Sequence, residues 1–184
     1  MIQLAEIPDC APPLFTVAGR RMFHLTEADA PQIQRLFARC ADYFTLVEGR
    51  PAGPDAALAQ LRDGPAERVP DDLVNLGIAD RDGGLAGLFG LLRHHRRPDQ
   101  WYLGLMLLDP AWRGYGFGST VYWSVQHWLE HQGAESIVLA VVADNHRADR
   151  FWRSLGFGRP RSYPARRIGL KRHILIEYEK DLAG

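Results

Sequence analysis

Seven consecutive residues, Arg113-Gly114-Tyr115-Gly116-Phe117-Gly118-Ser119, restrict the fold of this 184-residue chain more than any other stretch. An apolar, strand-like segment (residues 101–108) precedes them and stops at Asp109-Pro110. Val121, Tyr122, Val125, Trp128 and Leu129 follow at the spacing of one helical face. The run is therefore a turn between a strand and a helix. Its alternating glycines let the backbone approach a ligand closely and adopt dihedrals that other residues avoid. Successive N–H groups there can converge on an anion, and the helix dipole adds about +0.5 charge at the same point. Arg113 adds a full charge and a planar fork for phosphate oxygens. The ligand best matched is a diphosphate.

Three phosphate-binding patterns compete for this run. A P-loop needs a lysine before Ser119, where Gly118 stands. The dinucleotide fingerprint needs a third glycine where Ser119 stands, and an acid about 20 residues on; Asp144 lies too far away for that. The pattern R-x-x-G-x-G is matched position for position by Arg113, Gly116 and Gly118.

The rest of the chain reads as alternating elements. Pro8, Pro12 and Pro13 make residues 1–15 an N-terminal arm, and residues 16–184 a single domain. A short strand is expected over residues 16–25. Thr26 and the acids Glu27 and Asp29 then open a helix whose apolar face is Ile33, Leu36, Phe37, Cys40 and Phe44. Asp55 caps a short second helix through Leu61. Residues 73–79 and 85–92 form a hairpin around Asp80-Arg81-Asp82-Gly83-Gly84, and a basic loop leads to the strand at 101–108. Residues 137–142 are continuously apolar and rich in β-branched side chains, as in a strand covered on both faces. A last helix carries Ala148, Phe151, Trp152 and Leu155 and ends at Gly156. Residues 158–172 read as a basic linker, and residues 173–178 as a terminal strand. Hairpins mixed with βαβ crossovers predict a mixed sheet.

Composition narrows the function. The 22 basic and 22 acidic residues cancel, which argues against nucleic acid or anionic membrane as a partner. No apolar run reaches the roughly 18 residues that a membrane span needs. The first residues lack the basic start and apolar stretch of a signal peptide. Cys10 and Cys40 form no metal-type or redox spacing, so no metal site is expected. They read as reduced thiols in a cytoplasmic protein.

With its flanks, the segment from Trp101 to Phe157 resembles the GCN5-related N-acetyltransferase (GNAT) superfamily. The strand before the glycine run is similar to the family's fourth strand. Asn145, Ala148, Phe151 and Leu155-Gly156-Phe157 resemble its N-x-x-A-x-x-F-[YW]-x-x-x-G-F signature. The resemblance implies an α/β fold of the α+β type: a central mixed, mostly antiparallel sheet of about six to seven strands, flanked by about four helices. It implies acetyl transfer from acetyl-CoA to a primary amine by direct attack in a ternary complex. The acceptor would be a small molecule, a protein N-terminus or a lysine. A homodimer through the last strands is common in such folds.

The resemblance also assigns cofactor-binding roles. Backbone groups of Met106, Leu107 and Leu108 would pair with the pantetheine arm of coenzyme A. The N–H groups of Gly114, Tyr115, Gly116, Phe117, Gly118 and Ser119, with Arg113, would hold the pyrophosphate. Asn145 would hydrogen-bond the pantetheine, Phe151 and Trp152 would pack near the thiol, and Arg150 would lie nearest the cofactor on its helix. The plain alternatives are a helix cap for Asn145 and core packing for the two aromatics.

Catalytic candidates are less well marked. Many relatives carry a tyrosine acid where Trp152 stands, and an indole N–H is too weak an acid to replace it. Trp101 and Tyr102 stand where some relatives place a glutamate base. Tyr43, Glu48 and Tyr102 are the candidates that remain, beside Asp42 and Tyr115. An acetyltransferase-like module that holds CoA with little or no turnover is the alternative reading. The cradle itself has a direct test. Gly116→Glu is expected to abolish CoA binding, because its carboxylate would occupy the diphosphate position; unchanged affinity by calorimetry in a folded variant would move the cradle elsewhere.

Overall fold

A computed structural model describes residues 14–63 and 72–182. One eight-stranded sheet organises them, in the order β1-β2-β3-β4-β5-β6-β8-β7. Its strands are β1 (Phe15–Val17), β2 (Arg20–His24), β3 (Leu73–Ala79), β4 (Leu85–Leu92), β5 (Gln100–Leu108), β6 (Ser136–Val142), β7 (Gly158–Ile168) and β8 (Lys171–Asp181). The helices are α1 (Ala30–Arg39), α2 (Ala41–Glu48), α3 (Ala56–Arg62), α4 (Phe117–His131) and α5 (His146–Ser154). Each neighbouring pair is antiparallel except β5 and β6. Those two are joined by α4, and a strand–helix–strand crossover returns the chain parallel.

The mixed, mostly antiparallel sheet is the one the sequence predicts, with differences at particular elements. The first expected strand is a hairpin, because Ala18 (φ 48°) and Gly19 (φ 75°) form a turn with two left-handed residues. The first expected helix is two. Cys40, at φ −98° and ψ 30°, ends α1 and precedes α2. Its N–H is shared between the carbonyls of Leu36 and Phe37, and its thiol donates to Leu108 O at 3.4 Å. Residues 158–172 are not a linker: most of them form the edge strand β7. Its side chains are exposed on both faces, so no period-two apolar signal marks it in the sequence. Pro160 and Pro164 are tolerated because this strand has a neighbour on one side alone. Most of the expected N-terminal arm, with Cys10, lies outside the described residues, and Phe15 already opens β1.

Each sheet face carries a core. Over one face, Val121, Tyr122 and Leu129 of α4 and Trp152 of α5 pack on Phe89, Leu103 and Leu139. Over the other, Ile33, Leu36 and Phe37 of α1 and Phe44 of α2 pack on Leu88, Leu105 and Leu107. Burying such a large apolar side chain contributes about 1.5–3 kcal/mol each. Among the described residues, no helix is long and apolar enough to cross a membrane.

The β7–β8 hairpin runs past the end of β6, whose last partner in β8 is Leu175. Its tip docks on the end of α2 instead. Leu170 N donates to Glu48 O at 2.8 Å, Lys171 Nζ to Leu46 O at 3.0 Å and His173 Nε2 to Val47 O at 2.9 Å. Three successive carbonyls that a helix C-terminus leaves unpaired thus gain donors from one hairpin. Gly169 lies within the contact: at φ 57°, a Cβ there would sit 2.6 Å from Glu48 O. Gly19 is also left-handed (φ 75°), but its Cβ would meet nothing within 4 Å. Gly19→Ala is expected to cost about 1 kcal/mol from conformation alone. Gly169→Ala is expected to cost about 1–3 kcal/mol more through the forced contact. Urea unfolding of the two variants checks this, and equal costs would mean that the hairpin tip is not held against α2.

Candidate active site

β5 and β6 pair at four positions, from Gln100↔Ser136 to Leu103↔Leu139, and then part. β4 follows β5 onward to Leu108, and β8 follows β6 to Val142. The parting begins at a register shift: Gly90 faces Leu105 and Leu91 faces Leu103, which leaves Gly104 as an extra residue. Such a bulge bends its strand. Past it, Asp109 N donates to Ala86 O at 2.9 Å, so Asp109 turns its N–H toward β4. Alternation along the strand then directs the backbone groups of Leu108 and Met106 into the opening. Leu108 O is taken by Arg113 Nε, at 2.8 Å, and by the Cys40 thiol.

The glycine run lies at the mouth of this opening. A single 3-10 turn, Pro110–Trp112, leads into it, with the Asp109 side chain accepting from Ala111 N at 2.9 Å. Gly114 (φ 90°), Tyr115 (φ 49°) and Gly116 (φ 79°) are successive left-handed residues. Gly116 is the N-cap of α4, and no side chain caps this helix. The first-turn N–H groups of Gly118 and Ser119 therefore lack the acceptor that a Ser, Asp or Asn cap would provide. Gly116→Glu would add left-handed strain to any electrostatic effect, whereas Ser119 is an ordinary position in the first helical turn.

A cleft of about 460 Å³ joins the two features. Met106, Leu107 and Leu108 line its strand side. Arg113, Gly114, Tyr115, Gly116, Gly118 and Ser119 line its turn side. Asn145, at the start of α5, and Phe151 and Trp152 further along that helix close it. The Phe117 ring packs on Trp112 (centroids 5.4 Å apart), while its backbone opens α4 within the same turn; Arg150 is exposed on α5 outside the cleft lining. Arg147, one turn earlier on α5, lines the cleft instead.

Several side chains have partners that the sequence does not mark. Arg113 donates through Nε to Leu108 O and through its terminal nitrogens to the Asp42 carboxylate, so it braces α2 against the end of β5. The guanidinium beside Asp42 holds that carboxyl below the usual range. Arg39 pairs with Asp109 in the same way and donates to Leu85 O at 2.9 Å. Asn145 accepts from Ala148 N at 3.1 Å, which makes it the cap of α5 and leaves its amide N–H groups available. Trp152 is buried edge-on against Tyr122 (5.6 Å) and Phe157 (5.4 Å), so it brings no acid to the cleft.

The three catalytic candidates lie near one another. Tyr43 lines the cleft from α2; Glu48 and Tyr102 are outside that lining, and both lie near enough to Tyr43 to raise its phenol. Tyr102 precedes the parting of the strands, and its ring lies 3.5 Å from where a Gly104 Cβ would stand. The His95 ring stacks on it at 4.8 Å. Burial pushes the Tyr43 phenol up to about 12, with Glu48 and Tyr102 adding to the effect. Tyr43 is thus a neutral donor at neutral pH, not a base. Its folded pKa lies above the unfolded value of about 10, so stability is full below about pH 10 and falls as pH rises toward 12. Tyr43→Phe should flatten that alkaline decline in denaturant unfolding. An unchanged decline would place the Tyr43 phenol in contact with solvent.

The family model described as "Acetyltransferase (GNAT) family" matches residues 30–157. The chain is similar in structure to an acetyltransferase from Thermus thermophilus: 18% identity, TM-score 0.71, covering 91% of this chain and 100% of that one. It is similar also to the ribosomal-protein-S18-alanine N-acetyltransferase of Escherichia coli: 18% identity, TM-score 0.64, covering 90% and 95%. An N-acetyltransferase from Staphylococcus aureus matches at 15% identity and TM-score 0.64, covering 89% and 98%. At these identities the structural likeness concerns the fold. No curated protein matches the chain.

Proposed function

The chain belongs to the acetyltransferase (GNAT) family, and from that premise we propose that it transfers an acetyl group from acetyl-CoA to a primary amine by direct attack in a ternary complex. The parting of β5 from β6 beside an uncapped helix start carries this reading. An extended amide chain such as pantetheine suits the open edge at Met106 and Leu108 as an added strand would. A diphosphate suits the N–H groups of the first turn of α4. The two sites are joined by one cleft, and coenzyme A joins the same two chemical groups in one molecule.

When bound, acetyl-CoA supplies an acetyl group activated as a thioester. The chain's own groups then have separable tasks. The Leu108 N–H, which faces the opening, would meet negative charge developing on the thioester oxygen. Tyr43, held neutral by burial, is a proton donor of the kind that Trp152 is not. The acceptor ammonium, with a pKa near ~10.4, must lose a proton before attack. The thiolate leaves without a strong acid, since its thiol titrates near ~8.5.

Ser119→Glu tests the cofactor half without Gly116's strain. An acid in the first turn is favourable to α4, so the melting temperature should hold or rise slightly. CoA affinity should fall at least about tenfold, because the carboxylate would face the pyrophosphate. Calorimetry beside a thermal melt reads both, and unchanged affinity would remove the pyrophosphate from this turn. Thiol release with acetyl-CoA and an amine panel tests the transfer. Release above background supports the enzyme; retention of acetyl-CoA with no release on any amine favours a binding module.

A further inference from the structure

One sheet face beyond the cleft is built from strand registers that alternate with the core. Ala140 pairs with Glu177, Val142 and Tyr163 both pair with Leu175, and Arg166 pairs with His173. Paired residues share a face. His173 identifies it as the α2 face, because its Nε2 donates to Val47 O. Ala140 and Val142 belong to the stretch of β6 that has left β5, so this face looks onto the opening where the acetyl group would end.

The face is bounded at both ends. At one end, the hairpin tip is fastened to α2 by the three bonds to Leu46, Val47 and Glu48. At the other, Arg96 from the β4–β5 loop donates to both carboxylate oxygens of Glu177, at 2.9 and 2.7 Å, and reaches the Tyr163 hydroxyl at 3.4 Å. A surface closed in this way suits a small molecule and not a polypeptide laid along it.

Its charges are unequal. The Glu177 carboxylate is already matched by Arg96, which holds it below the usual range. Arg166 projects from the same face, is exposed, and makes no ion pair among the described residues. Burial raises the Tyr102 phenol, and the charge of Arg166 works against that rise, so the guanidinium is within electrostatic reach of Tyr102, just before the strands part. Glu48, at the end of α2, lies close enough to the Tyr43 phenol to raise it, and so brings a carboxylate to the α2 side of this face.

Resting on the acetyl-transfer reading, we propose that the acceptor is a small amine bearing a carboxylate or phosphoryl group, held by Arg166. A guanidinium without a carboxylate partner offers a fork that either oxyanion fills with two hydrogen bonds. Glu48 would then meet the amine end of the same molecule. This face would thus sort amines by the charge they carry opposite the nitrogen.

Matched pairs of acceptors test this: an amino acid against its carboxamide, and an aminoalkylphosphonate against the amino alcohol of equal chain length. With acetyl-CoA, kcat/KM should favour the anionic member of each pair by about tenfold or more, the usual scale for a hydrogen bond to a charged group. A preference in one pair only assigns the oxyanion. Arg166→Ala should shrink the preference about tenfold through KM, and Arg166→Lys should restore part of it. Arg167→Ala, which removes a charge from the opposite face, should leave the preference intact. Equal use of both members, an equal loss on both in Arg166→Ala, or faster acylation of an acidic peptide than of any small amine would overturn the proposal. Calorimetry of the same compounds, with and without CoA, needs no turnover: anionic members that bind no tighter than neutral ones also overturn it. The acetyl-transfer reading fails on different grounds, namely no CoA binding and no thiol release, and binding of the anionic members that depends on Arg166 would survive that failure.

Discussion

The structure turns on backbone groups of β5 that have no strand beside them. An unpaired N–H or C=O is tolerated inside a protein only where water or a ligand can satisfy it. The sheet meets that requirement by opening, not by ending: β4 and β8 carry β5 and β6 forward after the two have separated. The opening is thus held between two paired strands instead of hanging from a free edge. An edge buried in mid-sheet also avoids the pairing between molecules that exposed edges invite.

Holding that opening requires tension from several sides. On the α2 side, Cys40 and Arg113 both bond to Leu108 O, and Asp42 returns from α2 to Arg113. Arg39 does the same for Asp109. The C-terminal end of α2 is fixed independently by the hairpin tip. α2 is therefore fastened at each end by residues from distant parts of the chain, and Tyr43 lies between the fastenings. The short helix is a wall set in place by its contacts; with eight residues, it is below the length at which a helix holds itself.

This division explains what is legible in the sequence. The strand and turn sides of the cleft are assembled from local pieces: a strand, a turn of glycines and the first turn of a helix, all within residues 101–119. Local chemistry of that kind leaves a pattern of spacing, and Gly114 and Gly116 take the left-handed dihedrals that the pattern implies. The brace between Arg113 and Asp42 spans 71 positions, and the clasp between Arg96 and Glu177 spans 81. No periodicity records such pairs, so nothing in the sequence ties Arg113 to Asp42 or singles out Glu177. β7 reads as a linker for a related reason. An edge strand with solvent on both faces carries no alternation, and its prolines and arginines have the composition of a loop. The break at Cys40 is hidden too, because apolar spacing runs through it from Ile33 to Phe44.

The same contrast separates two kinds of specificity. Binding a diphosphate on a helix start uses main-chain groups, which many side-chain sequences can present, provided glycines allow the turn. On the proposed reading, choosing among acceptors would use side chains on α2, the β4–β5 loop and the β7–β8 hairpin, three elements joined by a few hydrogen bonds. The fastenings on the α2 side ask only for backbone carbonyls, those of Leu46, Val47 and Glu48, whereas on the hairpin side two of the three donors are the side chains of Lys171 and His173. On that reading, a fold so built would keep its cofactor chemistry while its acceptor wall varied. Arg166, on the edge strand of that wall and in no ion pair among the described residues, is the kind of residue through which such variation acts.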